Sequence, residues 1–284
     1  MSQLRHALVT PSYWKDVEQC RFQLETAQQW VPSDIKHYLL IANRDLPLFR
    51  PMISRNVELI VVEDIIPKWL FRVPGINRFW LSLRTLPVKN WILQQIVKLS
   101  APAAIQEDVL LYADSDMFFI APFDPRSFER EGKVPLFLEA GQRGLIPAND
   151  QWITTCSRLL GIPVDDTDLD VNYIGQLIWW RRQNALDAVQ RVEQCMGRQW
   201  QQVVAGLSGF AEYILYGLYN QRILKERSGH WEDSALRTLN HWGTNPLSLP
   251  ELQAFSASRQ PQHHSAMISS KSNTSMADIR RVFG

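Results

Sequence analysis

Three cysteines, Cys20, Cys156 and Cys195, are all the chain contains, and no two of them stand at CxxC spacing. So odd and scattered a set supplies neither a disulfide framework nor a thiolate zinc site, and buried thiols in a reducing compartment are expected. Long runs of like charge are missing too, and the formal net charge is only +1. Nothing in that balance points to nucleic acid or to an anionic membrane surface. No uninterrupted apolar segment is long enough to span a bilayer, and Lys15 and Asp16 interrupt the stretch after Arg5 and His6 where a signal peptide would need its apolar core. The expectation is a soluble cytoplasmic protein without a membrane span, which binds through a local site.

What is present is a globular composition: 284 residues, 45% of them hydrophobic, ample for a large α/β core. Eleven tryptophans are a high number. Aromatics on cleft walls stack on sugars and bases, although core packing and partner surfaces account for most.

Ala7 to Val9 reads as a short strand stopped at Thr10, Pro11 and Ser12, and Val17, Cys20, Leu24, Ala27 and Val31 then recur at helical spacing. Ile35 to Ala42 and Val57 to Val62 read as further strands, and Pro87 to Pro102 brackets a helix. Between them, residues 65 to 88 hold Trp69, Phe71, Phe79 and Trp80 with Arg72, Arg78 and Arg84, either a lid or binding wall or a packed irregular excursion. Val134 to Leu138 and Asn172 to Trp180 are expected strands, and helices are expected from about Ala185 to Cys195 and Phe210 to Tyr219. The acids Asp165, Asp166, Asp168 and Asp170 could form a second metal site but read first as a charged surface turn, since no apolar strand delivers them to a cleft.

The chemistry concentrates after the apolar run Val109 to Ala113, which leads into Asp114, Ser115 and Asp116. A carboxylate cannot share a strand buried on both faces without a partner, so the strand must deliver these acids to its rim. In open α/β sheets ligands bind at that rim, where the strand order reverses. Alternate residues of an extended segment point the same way, so Asp114 and Asp116 would converge on one hard cation, Mg²⁺ or Mn²⁺, that carries phosphate oxygens. A solvated acidic turn is the alternative. With the strand Ala7 to Val9 as its neighbour, the Thr10 to Ser12 loop would lie opposite Asp114 with a nucleotide between them.

In its ALVTPS strand and turn, its QQIVKL helix and the LLYADSDMFF segment, the chain resembles the GT-A-fold, DxD-containing nucleotide-sugar glycosyltransferases, over roughly residues 5 to 220 and closest to uncharacterised bacterial members. The resemblance implies a single GT-A-like domain over 1–284: a nucleotide-binding half (1–120), then an acceptor-side half and C-terminal tail (121–284). Its Rossmann-type central sheet would be mostly parallel, with helices on both faces and a helical C-terminal part. It also implies that Asp116 holds a divalent cation bearing the diphosphate of a UDP- or GDP-linked sugar, with Asp114 reaching the ribose or the metal. Thr10 and Ser12 would line the nucleotide pocket, and Gln95 and Lys98 would approach it from the preceding helix. No HxxGxxxPW signature is present; of His230, His241, His263 and His264, His264 precedes the apolar SAMI stretch and is the expected third metal ligand. The QxxRW pattern of processive synthases is also missing.

Glu212 in FAEYILYG is the expected general base, since partial desolvation would raise a carboxyl toward a useful value. Lys271 would offset diphosphate charge on the leaving group. The expected reaction is metal-dependent sugar transfer to the hydroxyl of a glycan, lipid or small-molecule acceptor. Two rivals remain at this stage. One is a phosphatase of the haloacid dehalogenase type, in which Asp114 would be the nucleophile. The other is a nucleotide-sugar-binding module without catalysis.

Overall fold

A computed structural model describes residues 4–73, 75 and 79–284; Arg78 lies outside them. Strand β1 (His6–Ser12) is buried along almost all its length, as a strand covered on both faces must be. The amphipathic helix α1 (Val17–Trp30) follows, then β2 (Lys36–Ile41), the one-turn α2 (Leu46–Phe49), β3 (Val57–Val61) and the short α3 (Val62–Ile65). The excursion expected over residues 65 to 88 contains three short strands, β4 (Leu70–Phe71), β5 (Phe79–Ser82) and β6 (Val88–Lys89), paired as one small sheet. Helix α4 (Asn90–Ala104) then leads into β7 (Val109–Tyr112) and β8 (Met117–Phe119).

The second half runs through β9 (Val134–Phe137), α5 (Asn149–Leu160), β10 (Ile178–Arg181), α6 (Arg182–Met196), α7 (Trp200–Ala205) and α8 (Glu212–Leu218). It ends with β11 (His230–Asp233), β12 (Thr238–His241), α9 (Leu249–Ala257), β13 (Ser265–Ile268) and α10 (Met276–Phe283). The C-terminal part is therefore mixed, with strands between its helices.

The protein is α/β, and its central sheet has the order β10-β7-β1-β2-β3. All neighbours are parallel except the edge strand β10, which runs against β7. The period of two along each strand divides the core. Ala7, Val9, Tyr38, Leu40, Leu110, Tyr112, Ile178 and Trp180 face α4 and the α5 to α8 helices, while Leu8, Leu39, Ile41, Val109, Leu111 and Trp179 face the other way, Leu39 and Ile41 against Cys20 and Leu24 of α1. From β1 the chain proceeds outward to β2 on one side, and β7 is added on the other. The strand order thus reverses between β1 and β7, and their carboxyl ends border one crevice.

Two sequence expectations fail for identifiable reasons. Asn172 to Trp180 is not one strand: Leu177 takes a left-handed conformation (φ 57°), which breaks the extension, and only Ile178 onward pairs with β7. A Cβ at Gly175 would lie 3.2 Å from the Ile178 side chain and 3.4 Å from Phe137, so the glycine leaves room for these side chains to pack. Likewise α4 does not stop at Pro102, which sits in its last turn. Proline offers no N–H to the Lys98 carbonyl one turn back. The Tyr112 hydroxyl donates to that carbonyl instead, at 2.6 Å, so α4 is tied to the strand that carries the acids. Of the thiols, Cys20 and Cys156 are buried and Cys195 is exposed. Asp168, from the expected surface turn, is buried and paired with Arg222. No described helix is long and apolar enough to cross a membrane.

Candidate functional site

Where β7 ends, the Ala113 amide donates to Val9 of β1 (3.1 Å), which seats Asp114 beside Thr10. The two acids do not then extend in parallel. The Met117 amide closes a turn onto the Asp114 carbonyl (3.1 Å), and that turn sends their side chains to different sides of the sheet end. This corrects the convergence expected from alternation.

Asp114 turns toward α4 and α8. Its Oδ1 is 2.9 Å from Lys98 Nζ, and its Oδ2 accepts from Gln176 Nε2 (3.1 Å), whose Oε1 takes the Asp114 amide (3.0 Å). Its carbonyl accepts from Gln23 Nε2 (2.9 Å). Oδ1 is thus ion-paired and Oδ2 hydrogen-bonded within the chain.

Lys98 is buried, and its ammonium also lies 3.1 Å from Glu212 Oε1 and 3.0 Å from the Tyr213 hydroxyl. Burial alone would lower its pKa; the Asp114 charge, then those of Tyr213 and Glu212, outweigh burial and hold it well above the ordinary lysine value. Lys98 is therefore a fixed cation inside the protein rather than a residue on a solvated helix face.

Glu212 is brought to the site, but as a partner of that ammonium and not as a free base facing the cleft, because it begins α8 directly beneath α4. Gln95 is buried and spends its Oε1 on the Glu212 amide (3.0 Å), satisfying one of the open donors at the start of α8. Thr10 is fully buried as well. Its hydroxyl donates to Gln23 Oε1 (3.1 Å) and meets His37 Nε2 (2.8 Å), so it braces the strand end instead of lining an open pocket. Burial holds His37 down at about 3, hence neutral. Ser12 stands half-buried at the end of β1.

Asp116 faces the opposite way, into a narrow crevice of about 10 Å³ beside Phe22 of α1, Ile268 of β13 and Met276 and Ile279 of α10. Its Oδ2 accepts the Ser270 amide (2.9 Å). Burial, then the nearby Asp114 charge, push it up to about 7 despite that bond. Asp16, at the start of α1, accepts from Ser115 Oγ (3.4 Å) and is pushed up to about 6, chiefly by burial. Tyr13 is exposed, and its hydroxyl is raised by burial and then by the Asp16 and Asp116 charges. The acids Asp16, Asp114 and Asp116 therefore feel one another around one turn.

The C-terminal strand reaches this turn, with consequences for two expected residues. Because β13 pairs antiparallel with β8, its end and not its beginning lies beside Asp116. Lys271 follows Ser270 in the turn after β13 and is exposed there. His264 precedes β13, at the far end of the ladder; its Nδ1 is 2.8 Å from the Pro122 carbonyl and its ring packs against Phe123 and Phe128. It is not brought to the acids. The histidine at the acid end is His241, opposite Ile268, with its ring edge toward Phe255. Among the described residues, no group of three or more His, Cys, Asp or Glu is arranged to hold a metal ion.

The sequence reading passed over Asp16, Gln176, Tyr213 and Tyr13. Asp16 and Tyr13 carry a usable signal, since both fall within a few residues of the switch-point strand. Gln176 and Tyr213 carry none, because their roles depend on β10 and α8 packing back onto β7 and α4. Comparison with the curated proteins gives no match. One family profile matches residues 4–281, nearly the whole chain, and this places it in DUF6492, a family of unknown function.

Proposed function

We propose that the chain is a metal-dependent glycosyltransferase of GT-A-like fold, moving a sugar from a UDP- or GDP-linked donor to an acceptor hydroxyl. One observation carries the reading: around the turn that ends β7, Asp114 and Glu212 share one buried ammonium, Lys98, while Asp16 and Asp116, on the other side of the turn, have no ion pair with a described residue. Clustered carboxylates this short of positive charge favour a cation or hold protons, and the raised Asp16 and Asp116 correspond to the proton-loaded state.

The donor set fits a hard divalent ion, Mg²⁺ or Mn²⁺, because it consists of oxygens alone. Such an ion commonly takes one or two carboxylates and completes its shell with substrate phosphates and water. Asp116, with Asp16 beside it, would hold it. When bound, the cation neutralises charge growing on the departing diphosphate.

The remaining roles belong to the chain. Lys98 and Gln176 fix Asp114 as a rigid acceptor at the strand end, where a ribose hydroxyl can donate to it. Exposed Tyr13 offers a ring face beside the acids for a nucleobase. Lys271, exposed next to the Ser270 amide, supplies positive charge toward a diphosphate. Glu212 acts through Lys98, as a positioning residue.

The test is thermal denaturation with UDP and GDP, with and without Mn²⁺. A ligand that binds only the folded state raises its melting temperature. Stabilisation that requires the metal and disappears in Asp116→Asn is expected. Metal-independent stabilisation would overturn this reading, and a beryllofluoride adduct on Asp114 would replace it with the phosphatase one.

A further inference from the structure

At the amino end of α4 a groove of about 690 Å³ opens between the β5–β6 turn and the helices α5, α6 and α7. Its described walls carry Arg84, Lys89, Arg158 and Arg198 and no carboxylate. None of the four forms an ion pair with a described residue. The near-neutral chain therefore concentrates unpaired positive charge on one face, and the carboxylates that balance it lie elsewhere.

The same turn carries Leu83 and Leu86, 76% and 83% exposed, the two most exposed of the large hydrophobic side chains described. Isolated exposed leucines are ordinary, but two on one turn above a cationic groove form an amphipathic edge. The turn is also braced from within. The Arg84 and Thr85 amides both donate to Ser82 Oγ (3.0 and 2.9 Å), so neither is left open if the turn enters a dry layer. Arg84 is held by its bond to Gln199 (2.8 Å) and by the Trp69 ring.

We infer that this face docks on an anionic phospholipid surface, with Leu83 and Leu86 at the acyl boundary and the four cations on headgroup phosphates. The chemistry is that of a peripheral protein, which joins a small apolar insertion to electrostatic attraction and needs no spanning helix. The inference stands on the groove and the turn alone and survives if the proposed reaction is wrong.

Co-sedimentation of the full chain with phosphatidylcholine vesicles, plain or enriched in phosphatidylglycerol, tests it. Binding to the anionic vesicles only, released by salt, is the expected result. The double variants Leu83→Ser/Leu86→Ser and Arg158→Glu/Arg198→Glu should each reduce the bound fraction by about tenfold or more, with melting temperatures unchanged, since all four positions are exposed. Absence of wild-type binding, equal binding to both vesicles, or wild-type binding by either variant overturns the inference. Release by millimolar glycerol phosphate, with the leucine variant still bound, also overturns it, in favour of a soluble phosphate ligand.

Discussion

Lys98 Nζ, midway along α4, and Asp114 Oδ1, just past the end of β7, sit 2.9 Å apart on two elements that the Tyr112 hydroxyl also ties together through the Lys98 carbonyl. Removing the ammonium leaves the buried Glu212 and the half-buried Asp114 without their counter-charge. Lys98→Met is therefore expected to cost about 3–5 kcal/mol in urea unfolding. Adding Glu212→Gln to that variant should recover part of the loss, because one of the stranded charges goes with it. Purely additive effects would mean that the two residues do not share the ammonium.

Asp116 makes stability fall as pH rises. Its carboxyl ionises near 4 in the unfolded chain and at about 7 in the folded one. Between those values the folded state binds more protons, so raising the pH favours unfolding. Asp116→Asn should be more stable than the parent at pH 8, by on the order of 1–2 kcal/mol once partial exposure is discounted, and equal to it below about pH 4. Denaturant titrations at the two pH values measure the difference.

Under the proposed reading, the cation and the proton compete for the Asp116 carboxylate. Stabilisation by Mn²⁺ with UDP or GDP should weaken as pH falls through about 7, the value for Asp116. Ser270→Pro, which removes the amide that helps hold Asp116 ionised, should move that midpoint upward. His264→Ala should leave it where it is, given the histidine's place at the other end of β13. Melting curves over a pH series report all three.

Gly217 on α8 has no room for a methyl group: a Cβ there would fall 2.2 Å from Tyr173 Cδ1 and 2.5 Å from Cγ. Alanine is the better helix former by about 1 kcal/mol, yet Gly217→Ala should be net destabilising by about 1–3 kcal/mol through overpacking. A stabilised variant in thermal unfolding would show that Tyr173 swings aside without cost.

The sheet was legible because its strands announce themselves locally. VLLYA, VELIV and HYLLI are branched apolar runs with polar ends, and a buried strand requires nothing further. The acids at the end of β7 were legible for the same reason. Their orientation was not, since the turn closed by Met117 and Asp114 leaves no mark that distinguishes it from continued extension. Thr10 and Gln95 look like cleft polar groups in sequence. Only the packing of α1 on β1, and of α8 on α4, shows that their hydrogen bonds are already spent inside. His264 was chosen for its nearness to a strand, but strand direction decides which end reaches the acids, and direction is a property of the partner β8.

The hydrogen bond from the Ser270 amide to Asp116 joins residues 154 positions apart. On a ribosome the acid emerges long before its donor does, and β1, β7 and the Lys98 pairing have their sequence in hand well ahead of β13. Domains begin to fold from the amino end during synthesis, so the nascent protein passes through a stage with its central sheet available and its acid turn unfinished. The Asp116 carboxylate therefore stays without its amide donor until Ser270 has been made, so the seat of this acid is a late product of folding and not a property of the central sheet.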